Sequence, residues 1–458
     1  MHAVSFDNWE RRDGRSAARL WILVLALGFL LVWPLLALAA EPAGAAPGDE
    51  VWQQTVLPAG IDHVRDVVMA RQGDIWLAGT GYQGTVDSDV VVARYRLDGT
   101  RRWVRVFDTR THESQEVAGI AVDRRGCALV TGCVGVLSGV SGWWTVKVSP
   151  SGEKLWAARI SAERVPGQGE GVAVDADCNV YVAGQLPART GPTTDAAVVK
   201  YSPAGTWRWA RRLDGGTYPS GTLRDVVVDD RGRLFVAGSL HGESGRASTV
   251  MARYTREGKR IWRKVWREEG AYSSVLSDLQ VTSAGVAAAG ESGESDDCRG
   301  LLLRRRIRDG AAQVTLSAYG LDLQWKALAM NDATDVGLAG TTTSDGGVHT
   351  DYVHLRRPAV GPAGVPLRVS GTGGQAYPYD VAISRGGVVV STGFVLNGAS
   401  RFDLVVVYDQ PTAADWQRLE LEAVADGDAE QHQHRHHHRR QEQERHQALA
   451  PSQRGHGP

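Results

Sequence analysis

Eight side chains in the variable stretches of the chain have the chemistry of ligand recognition: Tyr82, Trp143, His241, Tyr272, Asp296, Asp297, His349 and Tyr377. A flat aromatic face stacks on a sugar ring or a peptide side chain, while a neighbouring carboxylate, imidazole or hydroxyl sets the register by hydrogen bonding. Each one singly is equally an ordinary solvated loop residue. Together they mark a ligand-binding surface. Motifs of specific catalysis are weaker. "GTGYQG" (Gly79 to Gly84) matches G-x-G-x-x-G, but the next segment, "DVVVARY", is strand-like, so its glycines open no helix for a pyrophosphate. "DADCN" (Asp175 to Asn179) starts like a calcium loop yet lacks the glycine at the sixth position and the distal glutamate, and suits an aspartate-stabilised turn better. "HESQE" offers His112 and Glu113 but no second histidine for a zinc protease, and the chain has neither a Gly-x-Ser-x-Gly elbow nor a phosphate loop. Asp66, Asp225, Asp278 and Asp380 recur at equivalent places and are expected to fix backbone groups rather than to catalyse. No cofactor is expected.

The elements that must position these residues follow from an internal repeat. "DIWLAG", "CALVTG", "NVYVAG", "RLFVAG", "GVAAAG", "DVGLAG" and "VVVSTG" end at Gly79, Gly132, Gly184, Gly238, Gly290, Gly340 and Gly393, spaced 50 to 54 residues apart. Each copy divides into four short runs rich in Val, Tyr and Trp with period-two alternation, separated by Gly, Asp and Pro; in the third copy these are "GVAVDA", "NVYVAG", "AAVVKYS" and "TWRWARRL". Four antiparallel strands per repeat make a propeller blade that buries both faces against its neighbours. The expected fold is therefore all-β, a seven-bladed β-propeller of four-stranded antiparallel blades. The last copy stops after "DLVVVYD" without a fourth strand, while "EVWQQTV" (Glu50 to Val56) carries Trp52 about one period before Trp103. That N-terminal strand is expected to complete the last blade and close the ring, removing unpaired edges at the seam.

"GVAVDADCNVYVAG" with "DAAVVKYSPAGTWRW", and "DVVVDDRGRLFVAG", resemble the seven-bladed β-propeller repeat (SBBP-type repeat) of bacterial exported proteins. The resemblance spans Glu50 to about Gln410 and loses its tryptophan in the fifth to seventh copies. It implies architecture far more than activity, since one fold hosts many functions.

The turns between first and second strands, and between third and fourth, are short; the connections after the repeat glycines and between copies are long. In an up-and-down blade the long connections share one face of the disc, which makes that face the expected ligand side. Chain-wide charge gives no pull toward a polyanion: 51 Lys and Arg against 52 Asp and Glu, a formal net charge of -1. Residues 1–40 are expected to be an export signal or an uncleaved membrane anchor, with Arg11, Arg12, Arg15 and Arg19 before the apolar run Leu20 to Ala40, and Ala37-Leu38-Ala39 as a cleavage site. Residues 41–49 form a linker, 50–411 the propeller and 412–458 a polar tail in which His434, His436, His437 and His438 give a weak metal-binding possibility. Of four cysteines, only Cys127 and Cys178 fall at places where a bridge is plausible, against a reading in which all are free thiols. These features point to an extracytoplasmic binding or scaffold protein for a protein, peptide or glycan, without nucleic acid and with membrane contact only through the anchor. The alternative is a glycan lyase or hydrolase on the same scaffold, and less so a quinone-dependent dehydrogenase.

Overall fold

The computed structural model describes residues 50–54, 61–70, 73–82, 88–107, 114–135, 142–160, 167–189, 193–213, 218–283, 285–294, 297–318, 322–330, 336–344, 349–357, 367–369, 375–383, 389–397 and 400–408. They are strands and tight turns. The first strand, β1 (Glu50–Gln54), precedes four that form one antiparallel sheet: β2 (Ile61–Met69), β3 (Asp74–Tyr82), β4 (Ser88–Arg96) and β5 (Arg101–Phe107). The next sheet holds β6 (Gln115–Val122), β7 (Ala128–Val134), β8 (Gly142–Val148) and β9 (Lys154–Ile160), and the third β10 (Gln168–Val174), β11 (Val180–Pro187), β12 (Thr194–Tyr201) and β13 (Trp207–Leu213). Then come β14 (Ser220–Val228), β15 (Leu234–His241), β16 (Ala247–Tyr254) and β17 (Arg260–Trp266), followed by β18 (Ser273–Thr282), β19 (Gly285–Glu294), β20 (Asp297–Arg305) and β21 (Ala312–Ala318). A single parallel bridge, Ala247 to Ser273, links these two groups. The chain continues through β22 (Asp322–Met330), β23 (Val336–Ser344), β24 (His349–Arg357) and β25 (Leu367–Val369) to β26 (Gln375–Ile383), β27 (Val389–Asn397) and β28 (Ser400–Tyr408). In this last sheet β1 pairs antiparallel with β28, Glu50 opposite Tyr408 and Gln54 opposite Val405. The fold is all-β, built of four-stranded antiparallel sheets.

Residue choice explains the local geometry. The turns between third and fourth strands repeat one bond pattern: in "SPSGE" the Gly152 N–H donates to Ser149 O and the Ser149 N–H to Glu153 O, and in "SPAGT" Gly205 and Ser202 do the same. Gly152 (φ +89°) and Gly205 (φ +78°) stand in the left-handed region that glycine enters without a Cβ penalty. Between first and second strands an aspartate closes the turn instead. Asp175 Oδ1 accepts from the backbone N–H groups of Asp177 and Asn179, and its Oδ2 accepts from the Tyr181 hydroxyl, so "DADCN" is a capped turn with its oxygens committed inward.

Apolar residues on both faces of each sheet bury against two neighbours. Trp76, Val90 and Val92 of the β2–β5 sheet pack with Val117, Val130 and Val146 of β6–β9; Leu129 and Trp143 of the latter pack with Val180, Val182 and Val199 of β10–β13. Tyr181 and Val198 then meet Val236 and Val250, and Phe235 and Met251 meet Leu279 and Leu301. The first strands touch in the same succession, β2 to β6, β10, β14, β18, β22 and β26, and β26 touches β2. Cys127, Cys133 and Cys178 are buried free thiols, so no bridge joins Cys127 to Cys178. The apolar run Leu20 to Ala40 and the histidine tail lie outside the described residues.

Candidate functional site

The repeat glycines build the site. In the β6–β7 pair the register shifts between Val117 and Gly119, and the same irregularity interrupts the first strand of every described sheet: after Val64, Gly169, Leu223, Leu276, Trp325 and Pro378. Each is a β-bulge, one extra residue that re-aims a side chain. The bulge presses a first-strand carbonyl against the glycine that ends the second-strand motif. A Cβ on Gly132 would stand 1.8 Å from Glu116 O, on Gly184 2.0 Å from Gln168 O, on Gly238 2.1 Å from Thr222 O and on Gly290 2.1 Å from Val275 O. Only glycine permits the approach.

The displaced residues converge. Arg65, Ala118, Glu170 and Arg224 face one recess of about 680 Å³, joined by Ser277, Lys326 and Tyr379 from the remaining first strands. Its wall is completed by Glu116, Gln168, Ser239, His241, Glu291 and Thr341. Arg224 Nη1 donates to Glu170 Oε1 at 2.9 Å, and Lys326 Nζ lies 3.3 Å from Glu291 Oε2 and donates to Gln324 Oε1 at 2.8 Å. The Arg65 guanidinium stands 5.2 Å over the Tyr379 ring, a cation–π arrangement. Burial raises the Glu170 carboxyl above its ordinary value, partly offset by Arg224. Burial, then the charge of Arg224, lowers His241, whose Nε2 is 3.3 Å from Ser239 Oγ; its imidazole is therefore neutral at pH 7.

Beneath the bulges lies a second tier. Asp66 Oδ2 accepts the Ile120 N–H at 2.5 Å, Asp225 Oδ2 the Leu279 N–H at 3.1 Å, Asp278 Oδ2 the Leu328 N–H at 2.6 Å and Asp380 Oδ2 the Val67 N–H at 3.0 Å. Each aspartate thus reaches one sheet onward to a backbone amide of the next first strand. Gly119 and Gly171 replace it where neighbouring first strands approach too closely: a Cβ there would meet Glu170 O at 2.8 Å and Asp225 Oδ1 at 2.6 Å. Burial raises all four carboxyls, Asp66 to about 6 and Asp278 to about 7, and Asp225 and Asp380 well above the ordinary value, where the charge of the neighbouring carboxyl, Asp278 or Asp66, and a hydrogen bond to it add to burial. They form two proton-sharing pairs.

Of the eight residues expected from sequence, His241 lines the recess. Trp143 does not belong to any ligand face. It is fully buried between two sheets, its indole N–H donating to Gln185 O at 2.7 Å, because neighbouring sheets cover both faces of β8 and bury every residue of it. Tyr272 is 48% exposed and lies over the Gly242–Arg246 turn, next to a hollow lined by Tyr218 and Trp266. Tyr82, Asp297, His349 and Tyr377 sit at strand ends with side chains outside the described residues, as is Asp296 altogether. Sequence reasoning missed the bulge residues, although a signal existed: each immediately precedes the repeated Asp, Gly or Ala of the first strand and varies in chemistry from copy to copy. Among the described residues no group of three or more His, Cys, Asp or Glu is arranged to hold a metal ion.

No family model and no curated protein matches the chain. Among solved structures, the chain is similar to the extracellular domains 1-2 of Drosophila Semaphorin 1a at 8% identity and TM-score 0.49, over 79% of this chain and 88% of that one. It is similar to hydrazine synthase of Kuenenia stuttgartiensis at 12% identity and TM-score 0.47, over 75% and 97%. It is also similar to Trypanosoma rangeli sialidase at 10% identity and TM-score 0.42, over 81% and 58%.

Proposed function

We propose that the chain is an exported, closed seven-bladed β-propeller of the SBBP-repeat type, and that it works as a binding module whose ligand, a protein, peptide or glycan, enters the recess of the bulge residues. The convergence of all those residues on one recess carries the reading: a structural bulge at a fixed place needs no particular side chain, yet here it supplies Arg65, Glu170, Arg224, Lys326 and Tyr379 to one spot. The cyclic succession of first-strand contacts and the pairing of β1 with β28 support closure of the ring. Export rests on the apolar run Leu20 to Ala40 after four arginines. The recess holds both signs of charge and an aromatic ring, which suits a polar ligand with donors and acceptors on several sides.

The test is a glycan and peptide array probed with the purified protein, followed by titration of the bound probe. Arg65→Ala and Lys326→Ala are each expected to weaken it roughly tenfold, as for loss of one charge-assisted hydrogen bond. Unchanged affinity in both variants removes the recess from the interaction. Chemical turnover of the probe, lost in Glu170→Gln, replaces binding with the glycan-enzyme alternative, for which the raised Glu170 carboxyl is the supporting observation.

A further inference from the structure

The hollow beside Tyr272, about 680 Å³, opens at the same end of the β14–β17 strands as the recess. β15 and β17 run in the same direction, each antiparallel to the β16 between them, and both end there. His241 closes β15 and lines the recess; Trp266 closes β17 and lines the hollow. The two residues are therefore two strand spacings apart, about 10 Å. The turn that follows His241, closed by the Gly242 N–H on Arg246 O, forms one wall of the hollow.

Its lining is aromatic and carries both signs of charge. Tyr218 and Trp266 are half-buried and each rests on a core cluster, which fixes the rings. Tyr272 stands exposed at the rim with its hydroxyl against the Gly245 turn. Trp266 lies opposite Thr249, and the same register place holds Phe107, Ile160 and Leu213 in the three preceding sheets, so an aliphatic side chain suffices there for packing. Arg246, Arg267, Glu243 and Glu269 line the hollow too, and all four are exposed.

Granted the recess as a binding site, we propose that the hollow is a second sugar subsite, and that one neutral glycan chain occupies both by crossing the Gly242–Arg246 turn. A ring fixed in a wall stacks on the apolar face of a pyranose, while charged groups of both signs donate to its hydroxyls and accept from them. A polyanionic chain would be repelled by Glu243 and Glu269. An extended peptide finds no open strand edge beside the turn, since Ala247 already bridges to Ser273 and Thr249 pairs with Trp266. Two subsites held on one sheet reward length in the ligand, because the second contact forms at high effective concentration once the first is made.

The test is calorimetric titration of the full chain with dimers and hexamers of neutral glucans, mannans, galactans and xylans, and with hexagalacturonate. A neutral hexamer is expected to bind roughly tenfold or more tightly than its own dimer. Tyr272→Ala and Trp266→Ala are each expected to weaken the hexamer roughly fivefold, as for loss of one stacked ring, and to leave the dimer unchanged, whereas Arg65→Ala weakens both. Tyr272 is exposed, so its variant reads the hollow even where Trp266→Ala fails to fold. A hexamer no tighter than its dimer, or one that neither ring variant weakens, overturns the second subsite while dimer binding lost in Arg65→Ala still upholds the recess. Hexamer binding that falls in Tyr272→Ala but not in Arg65→Ala overturns the shared chain from the other side, by removing the recess. Preference for hexagalacturonate, or no binding of any neutral hexamer, overturns the neutral glycan.

Discussion

The tryptophan that stands four residues after a turn glycine, as in Gly99–Trp103, Gly152–Trp156 and Gly258–Trp262, works between sheets rather than within one. Trp103 Nε1 donates to Pro150 O, Trp156 Nε1 to Pro203 O and Trp262 Nε1 to Ile307 O, each the turn of the following sheet. The glycine of that turn lies flat on the preceding tryptophan: a Cβ on Gly205 would approach Trp156 Cδ2 to 2.7 Å, and on Gly310 Trp262 Cδ2 to 2.9 Å. The third copy varies the theme, Lys200 Nζ taking Arg256 O and Arg211 Nε taking Gly258 O. Two glycines separate the backbone cost from the packing cost. Gly73 shares the left-handed φ, at +81°, but nothing lies within 4 Å of its Cβ position. Gly73→Ala is therefore expected to cost about 1 kcal/mol and Gly205→Ala about 2–4 kcal/mol in urea unfolding. Equal losses at the two sites would contradict the tryptophan contact.

At the scale of the element, the bulge couples stability to the site. Gly238→Ala places a Cβ 2.1 Å from Thr222 O, and the strand pair must move apart by more than side-chain adjustment allows. The expected outcome is a loss of more than about 3 kcal/mol, together with displacement of Arg224 and weaker ligand binding in whatever folded protein is recovered. Stability unchanged by Gly238→Ala rules out the bulge as the reason for the repeat glycine. The proton-sharing pairs beneath the bulges predict a pH dependence. Their carboxyls are raised, Asp66 to about 6 and Asp278 to about 7, so the folded chain holds protons that the unfolded chain releases above about pH 4. Their contribution is complete below the ordinary carboxylate value and is lost as pH rises through 6 to 7. The melting temperature is expected to fall between pH 5 and pH 8. Asp225→Asn/Asp380→Asn keeps the donors to Asp278 and Asp66 and the acceptors for Leu279 and Val67 without the ionisation, so it should raise the pH 8 melting temperature and flatten the slope. A wild-type melting temperature that climbs over this range excludes the pairs as the controlling groups.

For the whole molecule, the proposed ring makes one short strand matter out of proportion to its length. β1 contributes five residues, yet it supplies the outer strand beside β28 and its removal leaves that strand as an unpaired edge. Deleting Glu50–Gln54 is expected to lower the melting temperature by several degrees and to promote association of chains through β28. A deletion variant that melts like wild type and stays monomeric would refute the closure.

The order of strands was legible in the chain because glycine spacing, alternation and turn residues are local signals; "AQVTLSA" names β21 residue for residue, and "EVWQQTV" contains β1. The four first-strand aspartates were legible too, as backbone-fixing groups. What one sequence determined by itself was thus the repeat, its four strands, and which connections are short. The tertiary structure decided which side chains meet. Trp143 looked like a loop aromatic and proved to be core, because β8 already begins at Gly142 and neighbouring sheets cover both of its faces, which no local signal announces. Arg65, Glu170, Arg224, Lys326 and Tyr379 lie up to six repeats apart and meet only because each first strand carries a bulge at the same height.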